Sequence, residues 1–260
     1  MSEVVAQPRD EDEAASTWEV RRDGDAVGTA RTQQRRGGQL LAVLDVPVEE
    51  ASAAFTAVGA ALRDRGEDSL AIDVPTGHEV LTAAVAGLDA RLVATQMQLD
   101  LTRPVEAPDR VTLRAMTRAE FASYREHLVT SYAQDMVDAG AFGDLPTALT
   151  ASERSTQELL PEGPESPGHH LWCAVDGDAV IGVLWIQAEG ASAFIYDIEV
   201  REEQRRRGYG REIVDAGARA ARELGAEVLG LNVFGPNDGA RALYKSAGYD
   251  TTEQTFRVSL

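Results

Sequence analysis

The run Gln204-Arg205-Arg206-Arg207-Gly208-Tyr209-Gly210 brings two glycines and three arginines together, with Arg211 next. Glycine lets an anion approach the backbone closely. A helix N-terminus adds free N–H groups and the positive end of the helix dipole. A turn of this composition suits a diphosphate. It is not a P-loop, because no Gly-Lys-Ser/Thr follows, and it lacks the third glycine of a dinucleotide fingerprint. On these residues alone, an ordinary connection with a solvated arginine face is the competing reading. Downstream, Asn237 and Tyr244 stand seven residues apart, about two helical turns, so a helix there sets both on one face.

The flanking segments supply what positions these groups. From Phe194 to Val200, a two-residue period places Phe194, Tyr196, Ile198 and Val200 on one face of a strand. Asp197 and Glu199 then point to the other face, unless a bulge re-aims one of them. Ile213, Ala216, Gly217, Ala220 and Leu224 recur at helical spacing up to Gly225, a C-cap signal. Glu227 to Val233 reads as a buried strand, broken at Gly235-Pro236. Asn237 caps a short helix with Ala240, Leu243, Tyr244 and Ala247 on one side. Gly248 ends it, and Tyr249 opens a closing strand pair that runs to Leu260.

In this order the elements closely resemble the GCN5-related N-acetyltransferase superfamily. The resemblance rests on Arg205, Gly208, Gly210, Leu231-Asn232-Val233, Asn237, Ala240, Leu243-Tyr244 and Gly248-Tyr249, and it covers roughly residues 110–260. It implies an α/β fold, a mixed sheet splayed between its two central strands and flanked by helices. Acetyl-CoA is implied as co-substrate, with no metal. Its diphosphate would lie on the turn formed by Arg205, Arg206, Arg207, Gly208, Tyr209, Gly210 and Arg211. Its pantetheine would run beside Ile198 and Val200, with Asn237 and Tyr244 also at the cofactor. The implied activity is acetyl transfer to a primary amine of a small molecule or peptide, by direct attack in a ternary complex.

An amine with a free pKa of about 10 is scarce in its neutral form at pH 7, so a carboxylate or a water chain must remove its proton. Glu199 is the first candidate for that base and Asp197 the second. Tyr244 matches the family position that protonates the departing thiolate, and backbone N–H groups near Val200 would polarise the thioester carbonyl. The variable helices within 111–170 should shape the acceptor pocket. Tyr132, Asp135 and Trp185 are its candidate residues, and Asp138 lies near them. Phe121, Tyr124 and Leu128 form a helical stripe of the kind that packs a core. Two other readings stay open: a non-catalytic acyl-CoA sensor, or an acyltransferase acting on a hydroxyl or a protein N-terminus.

A net charge of −18 over 260 residues excludes general binding to nucleic acid or anionic membranes and suits cationic acceptors. Cys173 is the sole cysteine, so no intrachain disulfide exists, and its strand-like surroundings make it a small buried hydrophobe. Outside the adjacent pair His169-His170 only His78 and His127 occur, too few for a metal site. No apolar run is long enough to span a bilayer. A cytoplasmic monomer or homodimer is expected.

The first hundred residues repeat the pattern. Asp23-Gly24-Asp25-Ala26-Val27 recurs as Asp176-Gly177-Asp178-Ala179-Val180, and Leu70-Ala71-Ile72-Asp73-Val74 mirrors Leu229-Gly230-Leu231-Asn232-Val233. Between them come a strand from Leu40 to Val46 and a helix with Ala51, Phe55, Val58 and Leu62 on one face, stopped at Gly66. The glycine turn has no counterpart. Val46-Pro47-Val48-Glu49-Glu50 enters the helix directly, with acids where a diphosphate would be repelled. The expected organisation is an unstructured tail at 1–16, a truncated and cofactor-free copy of the fold at 17–101, a linker at 102–109 and a complete catalytic copy at 110–260.

Overall fold

The computed structural model describes residues 3–11, 15–35, 38–138, 142–235 and 237–260. Pro236 of the expected break and parts of the expected tail lie outside these. The chain divides into two compact units: Met1–Thr95 together with Thr252–Leu260, and Gln96–Thr251.

The first unit begins with β1 (Val4–Glu11), β2 (Ala15–Arg22), β3 (Asp25–Arg35) and β4 (Gly38–Asp45), each antiparallel to the next. Helix α1 (Ala51–Arg63) crosses over to β5 (Ser69–Pro75), which pairs parallel with β4. After α2 (Glu79–Val85), β6 (Arg91–Asp100) leaves this unit past Thr95. The far edge of β5 is covered by β12 (Asp250–Ser259), antiparallel from Glu253↔Pro75 to Ser259↔Ser69. All four residues of the α1 stripe are buried, packed with Trp18, Leu70 and Ile72. The Trp18 indole donates to Thr32 Oγ1 at 2.9 Å, so its polar edge is satisfied inside the core.

The second unit carries strand order β6, β11, β10, β9, β8, β7. In chain order these are β7 (Thr112–Ala115), α3 (Arg118–Asp138), α4 (Leu145–Leu159), β8 (His169–Asp176), β9 (Ala179–Glu189), β10 (Ser192–Val200), α5 (Tyr209–Glu223), β11 (Val228–Phe234) and α6 (Asp238–Ser246). Helix α5 buries Ile213, Val214, Gly217 and Ala221 against the sheet. The expected stripe is rotated: Leu224 is exposed, and Val214, Ala218 and Ala221 take its place. A Cβ on Gly217 would lie 2.9 Å from Leu184 Cδ2, so glycine sets the close helix–sheet approach. Among the described residues no helix is long and apolar enough to cross a membrane.

Two expectations about boundaries need correction. Val4–Glu11 is a strand, not tail: it forms the edge beside β2, where Pro8 is tolerated because an edge strand does not need every N–H. Residues 250–259 form one long strand rather than a strand pair, and most of it belongs to the first unit, while residues 96–100 belong to the second. Each half thus contributes part of its closing strand to the other unit.

The element order repeats, with β1 to β5 matching β7 to β11 once α3 and α4 are set aside. The strand pairing shifts the repeat by one residue at the hairpin. Arg22 pairs with Asp25, whereas Asp176 pairs with Ala179, so Asp23 corresponds to Gly177. Asp23 and Gly24 both take positive φ, a type I′ turn, while in the second unit the positive φ falls on Gly177. Gly28 and Gly182 then coincide. A Cβ at either would overlap a carbonyl oxygen, of Asp45 and Glu199 respectively, near the ends of the β3–β4 and β9–β10 pairings. Gly182→Ala should therefore cost about 3 kcal/mol and lower Tm by roughly 6–12 °C in a thermal melt.

Candidate active site

The cleft of the second unit begins where two central strands part. Parallel pairing of β10 with β11 runs from Ser192↔Val228 to Ile195↔Leu231 and then stops. At that point the β10–β9 register skips a residue between Ile195 and Asp197, so Tyr196 is the extra residue of a bulge. The bulge splits the expected face. Ile198 and Val200 pack in the core that also holds Ala193 and Ile195. Asp197 and Glu199 both meet α3 on the other side: Tyr124 donates its hydroxyl to Asp197 Oδ2 at 2.9 Å, and His127 Nε2 lies 2.8 Å from Glu199 Oε2.

A cavity of about 240 Å³ fills the parting. Asp197 and Ile198 line one wall and Asn232, Val233 and Phe234 the other, while Asn237, Ala240 and Tyr244 come from α6. Tyr132 and Asp135 of α3 close it. Asn237 caps α6 by accepting from Ala240 N at 3.0 Å, which leaves its amide NH2 for a ligand. The Tyr244 hydroxyl has no protein partner among the described residues, and burial, followed by the Asp197 charge, pushes this phenol well above its usual range. It stays protonated, so it can donate a hydrogen bond, and it gives up the proton only under strong demand.

Asp197 has the environment of a base. Desolvation raises its carboxyl, the Tyr124 hydrogen bond pulls it back, and the Glu199 charge raises it again. Glu199, the first choice from the sequence, sits differently. It is held by His127 and by Arg205 Nη2 at 3.4 Å, and it borders a separate hollow with Gly182 and Arg201. The geometry thus brings Asp197, not Glu199, into the cavity with Tyr244. Its spacing places Tyr124 in a core stripe, and the ring is buried. Only its polar tip reaches Asp197, and spacing carries no information about that. Tyr124→Phe removes a bond that favours charged Asp197, so the acid limb of kcat/KM should move to higher pH with a loss of about tenfold or less at neutral pH. A rate loss without that displacement would reduce Tyr124 to packing.

The glycine turn lies past the end of β10. Gly208 is left-handed at φ 88 and caps α5, and Arg206 is left-handed at φ 63 without being glycine. Left-handed residues in succession with helical ones curl backbone N–H groups toward one point, a nest for an anion. Arg211 and Glu212 N–H both turn to the Gly208 carbonyl, so the N–H groups of Tyr209 and Gly210 belong to the open first turn. The Tyr209 and Arg211 side chains are used elsewhere: Tyr209 donates to Asp176 Oδ2 at 2.7 Å, and Arg211 binds Asp215 at 2.8 Å and the Ser246 carbonyl. Arg110 stacks over Tyr209 at 4.5 Å and donates through Nε to Glu212 at 2.7 Å. These contacts brace the turn, so both residues support it through their side chains; Tyr209 can still offer an anion its N–H, whereas the Arg211 N–H is used by the Gly208 carbonyl. Arg205 donates to the Val200 carbonyl at 3.1 Å.

The first unit keeps the bulge but not the turn. Its β3–β4 register skips at Ala42, yet Glu50 at the start of α1 is bound by Arg22 through Nε at 2.9 Å. A carboxylate already occupies the place an anion would need.

Trp185 is buried and donates to His169 Nδ1 at 3.0 Å, and His170 stacks on Trp172. Cys173 is buried among apolar side chains, and desolvation raises its thiol, consistent with a packing role.

A model of the acetyltransferase (GNAT) family matches residues 141–249. The uncharacterised N-acetyltransferase YycN of Bacillus subtilis is 38% identical over 149 residues, which is 55% of this chain and 94% of YycN. A second uncharacterised B. subtilis N-acetyltransferase, YdgE, is 32% identical over 154 residues, covering 57% of this chain and 98% of its own. The crystal structure of YycN superposes with a TM-score of 0.52 over 55% of this chain and 93% of that one, at 37% identity. A GCN5-related N-acetyltransferase from Sphaerobacter thermophilus has the same fold over 96% of this chain and 82% of its own, with a TM-score of 0.53 and 18% identity. The chain belongs to the GNAT acetyltransferase family.

Proposed function

We propose that the protein transfers the acetyl group of acetyl-CoA to a primary amine by direct attack, with Asp197 as base and Tyr244 as acid. The observation that carries this reading is the shared cavity: a raised carboxyl and an unpartnered, protonated phenol face one space, with the anion nest at the end of the same strand. The gap fits the co-substrate, because β10 past Ile195 has no β11 partner for its backbone groups, which leaves them for a pantetheine amide.

In this scheme an ammonium binds with its charge toward Asp197 and yields a proton to it. The neutral nitrogen attacks the thioester carbonyl, forming the C–N bond, and the C–S bond then breaks. Tyr244 gives its proton to sulfur, and the surplus proton on the new amide nitrogen restores the phenol. The proton on Asp197 passes to water, so amine, thioester and products balance. Thiol release on adding amines to protein and acetyl-CoA tests the scheme, and acetyl-CoA binding without release to any amine would favour the sensor reading. Tyr244→Phe should lower kcat by about 10²-fold or less with little change in acetyl-CoA affinity. An unchanged kcat removes Tyr244 as the acid.

A further inference from the structure

We infer that the acceptor is an arylalkylamine, a primary amine with an aromatic ring a short chain away from its nitrogen. This rests on the acyl-transfer reading above. Beside the catalytic cavity opens a second space of about 230 Å³, lined by Tyr132, Trp185, Phe194, Tyr196 and Phe234. The two spaces share Tyr132, Tyr196, Asn232 and Phe234, so one molecule can reach from one into the other. Trp185 stacks on Tyr196 at 4.7 Å and 21°, and Phe194 meets Tyr196 edge-on at 5.4 Å. Across the opening, Tyr132 and Phe234 form a tilted pair at 6.2 Å. Tyr196 and Phe234 are 40% and 42% exposed, although apolar rings in a concave site gain by being covered.

Charge decides between an aryl group and a polyamine tail. The described lining of the aromatic space contains no carboxylate. The acids, Asp197 and Asp135, sit in the catalytic cavity, and partial desolvation with the Asp138 charge raises the Asp135 carboxyl. A single ammonium is therefore served at one end and a flat apolar body at the other, whereas a second ammonium in the aromatic space would lack a counter-ion. Asn232 borders both spaces, and among the described residues its buried Oδ1 has no hydrogen-bond partner. The bulge thus does two things: Asp197 follows it as the base, and Tyr196 forms it as the ring at the mouth.

The test compares 2-phenylethylamine and tryptamine with butylamine and spermidine, by thiol release and by calorimetric binding to the CoA-loaded protein. The aryl amines should exceed butylamine by about tenfold in kcat/KM and in binding, and Tyr196→Ala should shrink that ratio to about threefold or less. Acetyl-CoA affinity serves as the folding control, and Phe234→Ala replaces Tyr196→Ala if the latter does not fold. Butylamine or spermidine equalling the aryl amines in binding and turnover overturns the inference, as does an aryl preference that both variants leave intact. If no amine is turned over yet aryl amines bind preferentially, the pocket assignment stands and the acyl-transfer reading falls.

Discussion

Replacing Gly210 with tryptophan is expected to weaken acetyl-CoA binding at least 10²-fold, about 2.7 kcal/mol, in a calorimetric titration where the parent chain takes up one equivalent. Gly210 lies in the first turn of α5, and a Cβ built there would stand 3.4 Å from Leu243 Cδ2 and 3.8 Å from Val200 Cγ2. Those are ordinary contacts, so Gly210→Ala should fold and retain most of its affinity. An indole instead occupies the space between the end of β10 and α6, over the N–H groups proposed to hold the diphosphate. The alanine variant therefore separates damage to the fold from obstruction of the site. Tryptophan binding acetyl-CoA as alanine does would move the diphosphate elsewhere. Two equivalents per chain would mean that the first unit binds as well, despite Arg22 and Glu50 joined at the start of α1.

Asp197→Asn should lower kcat/KM by about 10²- to 10⁴-fold at neutral pH while leaving acetyl-CoA affinity near its original value. The amide nearly matches the carboxylate in shape and can still accept from Tyr124, so the loss isolates proton transfer from packing. The sign of the pH dependence follows from the raised carboxyl. A base must be ionised, so the parent activity is present above the Asp197 pKa and is lost as pH falls through it. Because that pKa is raised by desolvation, the acid limb should lie above the ordinary aspartate range. The asparagine variant should lose this limb and keep only the rise due to the amine's own deprotonation. Glu199→Gln should cost less than about tenfold, since Glu199 is tied to His127 and Arg205 outside the cavity. If the glutamine variant suffers the larger loss, the base is Glu199.

Much of the second unit is legible because its signals are local. The glycine turn, the Asn237 cap and the Ala240–Tyr244 spacing each specify a conformation within a few residues, and the structure holds α5 and α6 accordingly. The bulge is different. Nothing in Phe194–Val200 distinguishes a regular strand from one that skips at Tyr196, because the skip is set by how β9 pairs across it. That single residue turns Asp197 and Glu199 together; what separates them is their position along the strand, since Asp197 lines the cavity at the parting while Glu199 is tied to His127 and Arg205. Strand β1 was hidden for a related reason. Its acids and Pro8 resemble a solvated tail, and among the described residues its only sheet neighbour, β2, pairs along just one side. The exchange of closing strands is the least local feature, since Thr255–Ser259 alternate as any half-buried strand would and carry no mark of which β-edge they join.

That exchange has a consequence for biosynthesis. The first unit contains residues 252–260, so although its other strands are translated early, it cannot close until those residues leave the ribosome. Until then the edge of β5 is open, a template for stray strands. A nascent chain stalled before residue 252 should recruit chaperones or aggregate, and cutting the gene between residues 101 and 110 should yield two halves that need each other to become soluble.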